Sequence, residues 1–109
     1  MQITVLGSGS IIPVPERHPS GYLLSTQTSR VIFDLGPGNL RRLAQAGVGP
    51  QDIDHIFLSH YHLDHIGDIQ HLLFGLRVPG YHRERPLFLY GPPGLHDLYR
   101  GLQQLWGKW

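Results

Sequence analysis

Six residues near the middle of the chain, His60-Tyr61-His62-Leu63-Asp64-His65, hold three imidazoles and a carboxylate directly after the apolar run Ile56-Phe57-Leu58. Imidazole nitrogen and carboxylate oxygen are ligands that borderline divalent ions such as zinc accept. In an extended segment alternate side chains share a face, so His60 and His62 can grip one ion. Asp64 and His65 are neighbours, point elsewhere, and can hold a second ion nearby. Two ions about 3.5–4 Å apart clamp an in-line displacement, which is hydrolytic chemistry. His-x-His alone is usually a chance pair on a strand. Asp64 alone is more simply a helix N-cap ahead of a helix-like run over 66–73. All four together, between a strand end and a helix start, favour the metal reading, and Asp64 can serve as cap and ligand at once.

The elements around this segment must place it. Residues 54–58 read as a short strand that delivers the motif, and their continuous apolar run suits a strand buried on both faces. Residues 66–76 read as one helix, with Ile66, Ile69, Leu72, Leu73 and Leu76 at helical spacing and Asp68 on its surface. Upstream, a strand over 2–6 ends at Gly7-Ser8-Gly9-Ser10, and a loop over 12–20 carries Pro13, Pro15 and Pro19. A Gly-Ser-Gly turn can cradle phosphate through backbone N–H groups, but no helix follows it, so the loop is expected to line the site. Residues 22–25 and 30–34 form a hairpin. A helix over 39–47 carries Leu40, Leu43 and Ala44 on one face, turns Arg41 and Arg42 to solvent, and stops at Gly47. A last strand covers 86–90. A last helix over 94–106 bears the stripe Leu95, Leu98, Tyr99, Leu102, Leu105 and Trp106, and Trp106 with Trp109 marks apolar surface at the C-terminus. Strand–helix alternation after an opening hairpin argues for a layered α/β unit.

With 109 residues, 40% of them hydrophobic and 16% charged, the chain can bury the core of one small domain. A net charge of +1 gives no whole-chain case for nucleic-acid binding. The basic residues are nevertheless eight Arg against a lone Lys108, and Arg suits bidentate phosphate contacts. Arg77, Arg83 and Arg85 cluster after the motif and can face a phosphodiester, although each taken singly is more simply a solvated loop residue. Of the remaining histidines, His82 is a weak further ligand candidate. The absence of Cys removes disulfides and thiolate metal sites. Met1-Gln2-Ile3-Thr4 opens a strand rather than a basic, apolar leader, and no stretch is long enough to span a membrane. A cytoplasmic protein without a membrane partner is therefore expected.

His60-x-His62-x-Asp64-His65 resembles the signature of the metallo-β-lactamase fold superfamily. Leu6-Gly7-Ser8-Gly9-Ser10 with Pro13-Val14-Pro15-Glu16-Arg17 resembles the opening of its ribonuclease Z branch. Phe33-Asp34-Leu35-Gly36-Pro37-Gly38 resembles the family's Asp-x-Gly-x-Gly element, and Leu89-Tyr90-Gly91-Pro92-Pro93-Gly94-Leu95 a segment typical of that branch. The resemblance runs from about residue 2 to about residue 100 and covers the N-terminal half of the family fold, an αββα sandwich of two similar halves. It implies an α/β half-sandwich, a mixed sheet flanked by helices, over residues 1–109. It implies a zinc-dependent hydrolase of ribonuclease Z type, a phosphodiesterase acting at the 3′ end of precursor tRNA, with manganese or iron as alternative metals. His60 and His62 then belong to the first ion and Asp64 and His65 to the second. Asp64 can also accept a catalytic proton, and Asp34 orients a ligand histidine from behind. The remaining ligands must come from a second copy in a homodimer or from a C-terminal half. The alternative is a non-catalytic, metal-binding half-domain that self-associates.

Overall fold

The computed structural model describes residues 1–107; Lys108 and Trp109, the latter expected to extend the apolar C-terminal surface, lie outside the described residues. Three strands come first: β1 (Gln2–Gly7), β2 (Gly21–Ser25) and β3 (Arg30–Leu35). The helix α1 (Asn39–Gln45), a 3₁₀ turn (Pro50–Asp52) and β4 (His55–Phe57) follow. The chain continues through α2 (Leu63–Ile66), α3 (Ile69–Gly75), β5 (Phe88–Tyr90) and α4 (Leu95–Trp106). The strands form one sheet in the order β1-β2-β3-β4-β5. The first three pair antiparallel, and β3, β4 and β5 pair parallel. This is the expected mixed sheet flanked by helices.

Side-chain alternation divides the sheet into two faces. Thr4, Leu23, Ile32, Ile56 and Leu89 stand in register across all five strands. Leu23, Ile32 and Ile56 of that row are buried in the core with Leu43 of α1 and with Ile69 and Leu72 of α3, and Leu95, Leu98 and Leu102 of α4 pack at its edge. The next row, Val5, Tyr22, Phe33, Phe57 and Tyr90, points the other way and is exposed throughout. Phe57 stacks on Tyr90 at a ring separation of 4.3 Å and on Phe33 at 5.5 Å. β4 is therefore buried on one face only, contrary to the expectation from its apolar run; the second row of apolar residues faces outward.

Three further expectations are corrected by tertiary contacts. The helix expected over 66–76 is broken at Gly67–Asp68, because Asp68 N–H donates to Leu35 O at 3.0 Å and Gly67 lies against Pro37 with no room for a Cβ. Asp68 is a buried residue, not a surface one, and its carboxylate accepts Leu40 N–H at 2.8 Å, tying α1 to the start of α3. Ala44 is exposed, and α1 buries Asn39 and Leu43. On α4 the stripe is only half covered: Tyr99, Leu105 and Trp106 are exposed.

The expected arginine cluster is also resolved differently. Arg83 Nη1 donates to Gln51 O at 2.7 Å and also to Ile53 O, and its Nη2 donates to Pro86 O at 3.2 Å. Asp54 accepts Arg85 at 2.8 Å and lies 3.6 Å from Arg83. Burial lowers the Arg83 pKa from its ordinary value, and the neighbouring Arg85 adds to this while Asp54 opposes it. These two arginines fasten the 83–86 segment to the start of β4, the end remote from the histidines, and Arg77 bonds Gly107 O at 3.0 Å. Arg83→Ala is expected to lower unfolding free energy by about 1–2 kcal/mol, since it removes the donor from the part-buried Ile53 carbonyl while Arg85 still pairs with Asp54; urea denaturation that leaves the midpoint unchanged would contradict this.

Candidate metal centre

β1, β3 and β4 run in the same direction, so their C-terminal ends meet at one sheet edge. β3 arrives there with Asp34, whose backbone is left-handed at φ 55, the only non-glycine with positive φ among the described residues. Asp and Asn tolerate that conformation better than most residues. It aims the carboxylate at the segment leaving β4. Asp34 Oδ1 accepts Ser59 N–H at 2.8 Å, and Oδ2 accepts Ser59 Oγ–H at 2.8 Å and His65 Nδ1–H at 2.7 Å.

This network sets the tautomers. Ser59 has a single hydroxyl proton, given to Asp34, so at its 2.9 Å contact with His60 Nδ1 it accepts rather than donates. His60 and His65 both carry their proton on Nδ1 and leave the Nε2 lone pair free. Their rings lie 4.1 Å apart, and the His60 and His62 rings 4.6 Å apart. Asp64 Oδ2 is 3.5 Å from His65 Nε2. All four expected ligand side chains thus gather at the strand ends, with Asp34 behind His65. Asp64 does not cap α2: its N-cap position is His62, in extended backbone, and Asp64 sits in the first turn.

Imidazole nitrogens with free lone pairs beside a carboxylate suit zinc, manganese or iron. Among the described residues no group of three or more His, Asp or Glu side chains is arranged to hold an ion by itself. The donor chemistry fits a metal; the coordination shell is not closed by this chain alone. His82 stands exposed in the segment between α3 and β5.

Several residues that support the motif escaped the sequence reading. Ser59 links Asp34 to His60, and its only signal was adjacency to the first histidine. The Tyr61 hydroxyl donates to Pro92 O, and its ring fills the space a Cβ on Gly91 would need, so the Gly-Pro-Pro-Gly segment docks on the motif. Gly36 has Asp64 O only 2.1 Å from its would-be Cβ and Pro19 at 2.7 Å. The proline-rich loop does lie against the motif, as expected.

The model of the metallo-beta-lactamase superfamily matches residues 14–105, and the chain belongs to that superfamily. It is 35% identical over 105 residues to ribonuclease Z of Methanothermobacter thermautotrophicus, covering 96% of this chain and 34% of that protein. To ribonuclease Z of Halorubrum lacusprofundi it is 39% identical, covering 90% of this chain and 32% of the other. Among solved structures, the short form of human tRNase Z superposes with a TM-score of 0.80 at 29% identity, over 96% of this chain and 40% of that one. The metallo-beta-lactamase fold protein YhfI of Bacillus subtilis gives 0.78 at 31% identity, over 91% and 41%. The chain spans about a third of the length of the curated relatives it matches. The likeness to the ribonuclease Z branch, and to part of its fold, is borne out. No helix among the described residues is long and apolar enough to cross a membrane.

Proposed function

We propose that the chain is one part, residues 1–109, of a zinc-dependent phosphodiesterase domain of ribonuclease Z type acting in the cytoplasm on precursor tRNA. The observation that carries this reading is the Asp34–Ser59–His60–His65 network, which leaves the Nε2 lone pairs of His60 and His65 free. His60 and His62 would hold a first ion and Asp64 and His65 a second, with manganese or iron as alternatives to zinc. When bound, such ions would lower the pKa of water to about 7 and neutralise charge on a phosphoryl oxygen. The protein's own tasks are positional. Asp34 fixes the ring of His65, Ser59 fixes that of His60, and Asp64 takes a proton at its carboxylate. Metal-loaded enzyme containing this chain should cleave a model phosphodiester and lose that activity to a chelator. Chelator-insensitive cleavage would remove the metal from the reading, and cleavage of lactams or thioesters alone would remove the phosphodiester.

A second reading is favoured by the exposed sheet face. Val5, Tyr22, Phe33, Phe57 and Tyr90, with Ile3, Leu24, Val31, His55 and Phe88 in the adjoining row, form an outward apolar surface spanning every strand. Aligned sheets pack face to face through such rows at about 10 Å, and patches of this size are covered by a partner. The partner is a second sheet, from a homodimer or from a C-terminal half in the same protein. In the homodimer the chain is a metal-binding half-domain that associates without catalysis. Native mass spectrometry of the 109-residue chain, with and without zinc, separates these: a zinc-bearing dimer supports assembly in trans, and a metal-free monomer assigns the missing sheet to a longer protein.

A further inference from the structure

We propose that Tyr61 is a positioning residue: seated in the turn between β5 and α4, its side chain holds the flanking His60 and His62 as a prearranged pair for the proposed first ion. The inference rests on the reading of those two histidines as metal ligands. The stretch that carries them lies between the end of β4 and the start of α2. Among the described residues, no main-chain bond engages the N–H of His60, Tyr61 or His62, so side chains must fix this stretch. His60 Nδ1–H donates to Ser59 Oγ at 2.9 Å. The His62 side chain makes no hydrogen bond among the described residues, and its direction is inherited from its neighbours in the chain. On one side is α2, where His62 O accepts His65 N–H at 2.9 Å. On the other side is Tyr61.

Tyr61 is half-buried and packs against the core. Its hydroxyl donates to Pro92 O. Pro93 follows, and because the pyrrolidine ring fixes φ at both prolines, the acceptor sits on a stiff turn. The Tyr61 side chain lies against both glycines of that turn. A Cβ on Gly91 would stand 2.8 Å from the hydroxyl and 3.4 Å from Cε1, and one on Gly94 would stand 3.5 Å from Cε2. Just upstream, Tyr90 O accepts Leu58 N–H at 2.8 Å, so the turn and the motif also share the β4–β5 pairing. Alternate side chains of an extended segment point to opposite sides. An anchored Tyr61 therefore sends His60 and His62 the other way together, and their rings stand 4.6 Å apart. Arranging the pair in advance removes an ordering cost from metal binding. If loss of the anchor left the pair arranged in about one molecule in ten, apparent affinity would fall about tenfold.

The test uses the 109-residue chain, first free of metal, with the contact between the His60 and His62 rings followed by NMR, and then with zinc added in a calorimeter. Tyr61→Phe keeps the ring and removes only the hydroxyl. Gly91→Ala leaves the motif untouched and displaces the Tyr61 hydroxyl from the other side. In each variant the ring–ring contact should weaken and zinc should bind about tenfold less tightly. His65 should keep its proton on Nδ1, because Asp34 holds it there. The two substitutions break one contact, so the double variant should lose about as much as the larger single. Arg83→Ala, which weakens the fold at the remote end of β4, should keep both the ring contact and the zinc affinity. An unchanged ring contact and zinc affinity in Tyr61→Phe, or an equal loss in Arg83→Ala, would overturn the role of Tyr61. A ring contact that weakens as expected in a chain that binds no zinc would instead sink the metal reading and leave the positioning role standing.

Discussion

His62→Ala, placed in enzyme containing this chain, is expected to reduce phosphodiester cleavage at least a hundredfold while leaving the fold intact. His62 is exposed at the strand-to-helix junction and its side chain makes no hydrogen bond among the described residues, so its removal opens no core cavity. Its ring stands 4.6 Å from that of His60, where the proposed first ion needs both. Residues that only orient a ligand are already worth about 10–100-fold in metal affinity or activity, and loss of a ligand must cost at least as much. Metal content measured by mass spectrometry should fall in parallel. Wild-type turnover in the variant would exclude His62 from the centre.

Asp34 should divide into two separable effects. Asp34→Ala removes the acceptor for Ser59 N–H, Ser59 Oγ–H and His65 Nδ1–H and places alanine at φ 55. Lost charged hydrogen bonds and left-handed backbone together predict destabilisation of about 3 kcal/mol, read from denaturant unfolding. Asp34→Asn keeps the shape, tolerates the backbone and retains an acceptor for Ser59 N–H, so stability should change by less than about 1.5 kcal/mol. Its amide, however, turns donors toward His65 Nδ1. The imidazole then moves its proton to Nε2, the nitrogen proposed to face the metal, and zinc affinity should drop about 10–100-fold. Nitrogen-15 shifts of His65 report the tautomer directly. An Asn variant with wild-type tautomer and zinc affinity would show that Asp34 only holds the turn.

The sequence determined this protein's strand order along the chain, its mixed α/β character, its superfamily and the stretch that gathers the candidate ligands. Local pattern suffices for these. Alternation writes strands, helical spacing writes α1 and α4, and the ligand-type residues from His60 to His65 are contiguous, so no tertiary information is needed to find them. Asp34 was also legible, because its motif places it at a strand end, but its partners were not: Ser59 and His65 lie 25 and 31 residues away. The tertiary structure decided what sequence separation conceals. It broke the second helix by giving the Asp68 N–H to Leu35 across the sheet. It buried Asn39 and Asp68 as ties between α1, the proline-rich loop and α3. It tied Arg83 and Arg85 to Asp54 at the far end of β4. It also turned Phe33, Phe57 and Tyr90 into one exposed stack. An apolar run reports that a strand seeks cover; which face is covered, and by what, depends on neighbours that the run itself does not encode.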